Sequence, residues 1–385
     1  MKNKVAVIGG ALIDRFGELF DKSVDDMIEE AYLNMIKTVD KNFNESDIQA
    51  AWFGSSRAHS GVDLAHPLGL YNIPISRNTN GCATGSDAFR NACFSVAAGV
   101  YDVVLVVGVE KMKDSKGGLI ARAGEVQDIW RRGRTLPAFF GLRATRHMHQ
   151  FGSTREHLAM VSVKNHNNGA KYPHAHYQFP LTLEKAMKSP IVSWPLSLMD
   201  CCPITDGAAA VLICKAELAR NYTDTPVYVA GSGASIYSWQ LGEDKALVGF
   251  PASEMAAKAA YKMAGVEPKD IDVAEVHDCF TITELVSYED LGFAKKGEGH
   301  KLLEEGMVML DGSKPINPSG GLISKGHPIG ASGVAQIVEI FDQLRGQAGK
   351  VQVPDVEYGL QHNIGLGRGA TGSAACVHVL TRTKD

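Results

Sequence analysis

The sequence predicts an α/β protein built from two duplicated halves, each a mostly parallel sheet covered by helices. Three observations point there. Residues 4–9 (KVAVIG) and 226–231 (PVYVAG) are short apolar runs ending in glycine, the pattern of buried strands that enter a turn. Each run is followed by an amphipathic helical stretch and then by a matched segment, 47–52 (DIQAAW) and 270–275 (DIDVAE), at nearly the same distance from its strand. The halves also close alike, with 205–212 (TDGAAAVL) against 370–377 (ATGSAACV). Similarity that keeps its order along the chain indicates an internal repeat.

In the first half, Met27, Ile28, Ala31, Tyr32, Met35 and Ile36 recur at helical spacing after the opening strand. The turn 81–85 (GCATG) then opens a helix predicted over 87–98, which leads to a strand at 102–109 (DVVLVVGV). In the second half Met255, Ala256, Ala259, Ala260 and Met263 share a helix face. The turn 326–330 (GHPIG) opens the equivalent of the first helix, and a strand is predicted at 358–361. Residues 111–196 have no counterpart in the second half and read as an inserted loop domain rich in Arg, His, Asn and Pro. The division is therefore 1–115 for the first half, closed by 196–222, then 116–195 for the loop domain and 223–385 for the second half.

Composition narrows the function. The chain has 385 residues, long enough for two domains, with 45% hydrophobic and 21% charged residues, as in globular enzymes. A formal net charge of −4 gives no global support for nucleic-acid binding. The 7 cysteines lack paired metal-type spacing, and Cys201 and Cys202 are adjacent, which suits neither a zinc knuckle nor an ordinary disulfide. A reducing, cytoplasmic location is expected. No segment approaches the roughly 20 apolar residues needed to span a bilayer. Gly9-Gly10 lacks the full dinucleotide fingerprint, so NAD is not expected.

The chemistry concentrates at three places. Cys82 sits in a glycine-flanked turn before a helix, where the backbone can bend sharply and the helix dipole favours thiolate. His327 occupies the equivalent turn of the second half, so packing the halves face to face would bring a thiol and an imidazole into one pocket. His277 and Cys279 follow a strand end, a usual place for catalytic groups in parallel α/β sheets. His166, His174 and His176 are spaced too loosely to argue for a metal, and none is expected.

Four blocks together resemble the thiolase superfamily: NGCATGSDAF around Cys82, HDCF at 277–280, GGLISKGHPIGASG ending at Gly333, and QHNIGLG at 361–367. The HDCF form is similar to thiolases of the sterol-carrier-protein and archaeal acetoacetyl-CoA types. The resemblance implies a five-layered α-β-α-β-α fold and chemistry on coenzyme A thioesters, with CoA as co-substrate and no permanently bound cofactor. It implies that Cys82 is the nucleophile, that His327 takes its proton, and that Cys279 exchanges a proton with the substrate carbanion. It also implies that His277 serves one oxyanion hole and that the backbone N–H of Gly365 serves the other. Common thiolases carry their second cysteine in the C-terminal loop, where this chain has Asn363; Cys279 takes that role here.

The loop-domain arginines Arg131, Arg132, Arg134 and Arg143 are expected to face the CoA phosphates or a substrate carboxylate. Relatives of this type imply a homodimer, with a separate zinc-ribbon/OB-fold subunit as a further partner. The substrate is a 3-oxoacyl-CoA: acetoacetyl-CoA, a longer acyl chain, or a bulky or carboxylated one such as benzoylsuccinyl-CoA. A ketoacyl-synthase- or aldolase-like reaction, or an acyl-CoA-binding scaffold, are the competing readings. A second thiol at Cys279 is unneeded by the first, and the nucleophilic cysteine is lost in the second.

Overall fold

The structure, a computed structural model, describes residues 1–114, 135–238, 247–367 and 372–384. The first half comprises β1 (Val5–Leu12), α1 (Val24–Ile36), β2 (Ala50–Gly54), α2 (Val62–Leu68), β3 (Ile75–Asn78), α3 (Thr84–Ala97) and β4 (Val103–Glu110). The loop domain contributes α4 (Leu136–Phe151) and α5 (Arg155–Gly169), after which β5 (Gly207–Lys215) returns to the first sheet. The second half comprises β6 (Val227–Ser238), α6 (Pro251–Ala264), β7 (Val273–Glu275), α7 (Thr281–Asp290), the short α8 (Gly321–Ser324), α9 (Ile329–Arg345), β8 (Tyr358–Leu366) and β9 (Gly372–Thr381).

Among the described residues these strands form a nine-stranded sheet in the order β3-β2-β4-β5-β1-β6-β9-β8-β7. The duplication is visible in that order, which reads outward from its centre as β1, β5, β4, β2 on one side and β6, β9, β8, β7 on the other. Among the described residues the strands of the two halves pair with each other only through Ala6↔Tyr228 and Val7↔Val227. Even the outermost strand β3 has a trace of a counterpart, since Ile316 makes an isolated parallel bridge to Ala274. Within each half every strand but the closing one points the same way, yet of the eight strand pairings only three are parallel and five are antiparallel, so the sheet is less parallel than the sequence predicts. The closing strands β5 and β9 run antiparallel to both of their neighbours.

Glycines reveal the layers. A Cβ on Gly9 would press on Val39 and Thr38 beyond α1, whereas one on Gly10 would meet Val338 and Phe341 of α9. Successive residues of a strand face opposite sides, so α1 and α9 cover opposite faces of the first sheet. On the second sheet a Cβ at Gly231 or Gly233 would collide with the carbonyls of Ala260 and Ala256 in α6, while Gly359 abuts Ile340 of α9. Helix α9 is therefore sandwiched between the two sheets, beside α3. The layers run α1/α2, first sheet, α3/α9, second sheet, α6/α7, which is the five-layered arrangement expected.

The middle layer explains its own composition. All but Asp342 and Arg345 of the 17 residues of α9 are buried, because the helix has sheet on both sides and α3 beside it. Helices α3 and α9 cross in backbone contact: a Cβ at Gly85 would lie 2.8 Å from the Gly330 carbonyl, and one at Gly333 would run into Ser86. Two sequence expectations shift here. Helix α3 begins at Thr84, three residues before the expected start. Strand β8 continues through Gly365 to Leu366, paired residue by residue with β9, so the glycine-rich block at 361–367 is mostly strand and only Gly367 lies beyond it.

Candidate active site

The crossing of α3 and α9 sets two helix N-termini side by side, with Cys82 just before one and His327 just before the other. The Cys82 turn is held by Gly81, whose φ of 57° lies in the left-handed region that glycine adopts without penalty. Thr84 locks the turn from both ends. Its hydroxyl accepts the Asn80 N–H at 2.8 Å and donates to the Gly81 carbonyl at 2.6 Å. Gly365 of β8 closes the turn from below, since a Cβ there would collide with the Asn80 carbonyl.

His327 is almost fully buried, and its protonation pattern follows from one neighbour. The Ser332 hydroxyl donates to the Pro328 carbonyl at 2.8 Å, one helical turn back. Its oxygen then accepts from Nδ1 of His327 at 2.7 Å. The proton therefore sits on Nδ1, and Nε2 is a lone pair with no hydrogen-bond partner among the described residues. Burial, with a smaller contribution from Lys325, lowers the His327 pKa to about 3. Burial, with the negative Glu110 second, pushes the Cys82 thiol up to about 12. The helix dipole does not win here. The resting pair is a thiol beside a neutral imidazole.

Cys82, His277 and His327 each place one donor atom so that all three lie within 4.8 Å of one another. The His277 and His327 rings meet edge to face, with centroids 5.2 Å apart. Burial and the neighbouring imidazoles hold His277 well below its ordinary range, hence neutral. Cys279, two residues on, is 8% exposed, and its sulfur lies 3.8 Å from the Thr283 hydroxyl. Burial raises its pKa well above the usual thiol range, followed by the neighbouring Cys202 and Cys82. Cys279 is therefore a firmly protonated thiol, suited to giving a proton to a carbanion.

A buried neutral base, a protected thiol and a second thiol on one side of it suit acyl transfer through a cysteine, and comparison with known proteins agrees. Residues 8–192 match the family described as "Thiolase, N-terminal domain", and residues 233–382 match "Thiolase C-terminal domain-like". The chain is 44% identical to an acetyl-CoA acetyltransferase of Methanothermobacter thermautotrophicus over 98% of this chain and 99% of that protein. The chain belongs to the thiolase family. As a thiolase it is an acyltransferase. It is also 39% identical to sterol carrier protein 2 of Bos taurus over 79% of this chain and 59% of that longer protein. A solved structure described as an Ltp2-ChsH2(DUF35) aldolase has the same fold, with a TM-score of 0.86 at 24% identity over 99% of this chain and 98% of that one.

The thiolase chain brings Cys82, His277, Cys279, His327 and Gly365 to one place. The arginines fare differently. Arg131, Arg132 and Arg134 lie outside the described residues. Arg143 is 4% exposed, with its guanidinium 4.4 Å from the Phe139 ring and 4.9 Å from that of Phe250. It packs α4 against the second half and does not stand on an open face. The three loop histidines bond separately: His166 to the Ser162 carbonyl, His174 to that of Ile13, and His176 to the Thr205 hydroxyl.

Several supporting residues escaped the sequence. Glu110, at the end of β4, accepts the Gly330 N–H at 3.1 Å and that of Ser56 at 3.0 Å, so it tethers the start of α9 to the first sheet. Asp278 accepts the N–H groups of Leu322 (2.6 Å) and Ile323 (3.2 Å) and the amide of Asn165 (2.8 Å), fixing the segment that leads to His327. Cys202 donates its backbone N–H to the Cys279 carbonyl at 3.1 Å. Only the acidic residue inside HDCF carried a signal in the sequence. No helix among the described residues is long and apolar enough to cross a membrane.

Proposed function

We propose that this thiolase cleaves, or forms by Claisen condensation, a 3-oxoacyl-CoA through an acyl-Cys82 intermediate. The observation that carries the reading is the convergence of the Cys82, His277 and His327 donor atoms within 4.8 Å, with the Cys279 thiol beside them. In the cleavage direction His327 Nε2 takes the Cys82 proton as the sulfur attacks the β-carbonyl. The carbon–carbon bond breaks, leaving the acyl group on Cys82 and a thioester enolate. Cys279 gives its proton to the enolate carbon. The thiol of CoA then gives its proton to the Cys279 thiolate and attacks the acyl-Cys82, and His327 returns its proton to the Cys82 sulfur as the new acyl-CoA is released. His277 steadies the enolate oxygen, and the N–H groups of Cys82 and Gly365 steady the oxyanion on the acylated carbon, a role worth about 3 kcal/mol per donor.

Acetoacetyl-CoA heads the substrate list, since the archaeal relative bears the name acetyl-CoA acetyltransferase. CoA is a co-substrate with no resident cofactor beside it, and the protein works as a cytoplasmic homodimer. A second subunit of the zinc-ribbon/OB-fold kind is supported by the two-component name of the DUF35 aldolase neighbour. It is supported also by exposed apolar side chains on the loop domain, among them Leu142 at 65% and Trp194 at 61%.

The test is incubation with CoA and a panel of 3-oxoacyl-CoAs, following thioester loss and the mass of the peptide holding Cys82. Acylation at Cys82 with turnover of at least one substrate is expected, and Cys82→Ala abolishes both. A chain that cleaves none of them and carries no acyl group at Cys82 overturns the reading. Aldol cleavage that persists in Cys82→Ala would point to the aldolase branch.

A further inference from the structure

His277 touches a chain of amides that no step above uses. Asn363 Nδ2 lies 3.1 Å from His277 Nδ1 and 2.9 Å from Gln336 Oε1. Gln361 Nε2 lies 2.8 Å from the same Gln336 oxygen and 2.7 Å from Ser86 Oγ. Gln336 Nε2 in turn lies 3.2 Å from the Val276 carbonyl. Asn363, Gln336 and Gln361 are fully buried, so these contacts are not exchanged with bulk water.

The direction of every bond in this chain follows from its last member. The Val276 carbonyl can only accept, so Gln336 must turn its NH₂ toward it and its oxygen toward Asn363 and Gln361. Asn363 must then present its own NH₂ to that oxygen, because flipping the amide would set two buried oxygens against each other. The same NH₂ meets His277 Nδ1, which therefore accepts. A neutral imidazole with a lone pair on Nδ1 carries its hydrogen on Nε2, the nitrogen left for the pocket.

We infer that Asn363 is a positioning residue, backed by Gln336, that holds His277 as an Nε2–H donor toward the reacting oxygen. This rests on the thiolase reading for what the donor meets. It does not rest on it for the hydrogen-bond chain itself. The arrangement has a second consequence. Cys82, His277 and His327 have the spacing of a metal site, yet a metal needs a bare lone pair from each imidazole. His327 has one at Nε2. His277 has none: one nitrogen accepts from Asn363 and the other carries the hydrogen. Asn363 thus keeps a cysteine–histidine cluster available to an oxyanion and closed to soft cations.

The experiment uses the full chain without substrate, so it is independent of whether any 3-oxoacyl-CoA is turned over. Nitrogen-15 NMR of the imidazoles, assigned by His277→Gln, is expected to show His277 neutral with hydrogen on Nε2. In Asn363→Asp, which places an acceptor where the NH₂ stood, the hydrogen moves to Nδ1. Co²⁺, read by its thiolate charge-transfer absorption, binds Asn363→Asp at least about tenfold more tightly than the native chain. With an active substrate, kcat falls about 10- to 100-fold while KM stays within about twofold, the scale typical of supporting-shell changes. If Asn363→Asp does not fold, Gln336→Met removes the group that orients Asn363 and is expected to give a mixture of the two His277 tautomers. A native His277 with hydrogen on Nδ1 overturns the proposal. So does Asn363→Asp with an unchanged tautomer and unchanged Co²⁺ affinity.

Discussion

Four residues beyond the first residue of β2 stands Gly54, and four beyond the first residue of β7 stands His277. The neighbouring strand matches each. Gly54 pairs with Gly108 of β4, and the parallel register of β7 with β8, carried two residues on from Glu275↔Gln361, sets His277 opposite Asn363. So one structural position reads Gly–Gly in the first half and His–Asn in the second. The glycines give room: a Cβ on Gly54 would lie 3.1 Å from the Gly330 carbonyl, and one on Gly108 would strike it. That space lets the first turn of α9, and with it His327, reach Cys82. On the mechanism proposed above, a duplicated scaffold has been divided into one half that yields space and a nucleophile and one that yields the polar groups acting on the substrate.

If that division holds, the second half can be disarmed without silencing the first. Cys279→Ala is expected to lower carbon–carbon bond cleavage by about 10³-fold, within the range of a lost general acid. Transfer of an acyl group from a simple acyl-CoA to Cys82, followed by mass spectrometry, should continue near the native rate. Equal loss of both activities would mean that the halves do not divide the chemistry. Gly108→Ala attacks the other side of the comparison. The added methyl has backbone in its way, so a loss of about 2–3 kcal/mol in stability is expected from denaturant unfolding. Acyl transfer should fall with it, by more than about tenfold, because His327 is displaced. A fully active and stable Gly108→Ala would show that the close approach of α9 is dispensable.

How much of this was legible in the sequence depends on whether a residue acts through its type or through its neighbours. Cys82, His277, Cys279 and His327 stand in short glycine- or proline-marked blocks, and the duplication placed two of those blocks at equivalent turns before any coordinates. The five layers followed from the family those blocks resemble. Asn363 was visible only as a departure from a cysteine, since its role depends on Gln336 and Val276, distant along the chain. Ser332 looked like one more small residue in a helix. Arg143 looked like a phosphate ligand because charge alone does not say that two aromatic rings flank it. The pKa of Cys82 was misjudged for a related reason: a helix N-terminus is read from sequence, whereas the burial that outweighs it comes from the packing of both halves.

Ser332→Ala sharpens the comparison at the second turn. The first turn is stiffened by Thr84 bonding its own backbone, and the second by Ser332 bonding both its backbone and the His327 imidazole. Losing that hydroxyl frees the His327 ring to turn and to exchange tautomers. A fall of about tenfold in kcat with little change in KM is expected, smaller than for either substitution above. An unchanged kcat would assign the tautomer to something other than Ser332.

The smallest expected effect is none at all, and it tests how the two turns work together. Burial lowers the His327 pKa to about 3, so the ring stays neutral as pH falls through 6.5, where an ordinary histidine would gain a proton. Burial and Glu110 raise Cys82 to about 12, so the sulfur keeps its proton as pH rises through the usual thiol range. Neither partner changes charge between about pH 5 and 9. The acyl-transfer kcat/KM is therefore expected to be flat across that interval, with no limb near 6.5. Ultraviolet difference titration of the native chain against Cys82→Ala should find no thiolate absorbance there either. A preformed cysteine–histidine ion pair, the arrangement that the helix dipole alone would favour, gives the opposite result: a thiolate signal at neutral pH that vanishes on acidification together with activity. Observing it would mean that the dipole at the first turn outweighs the burial created by the second.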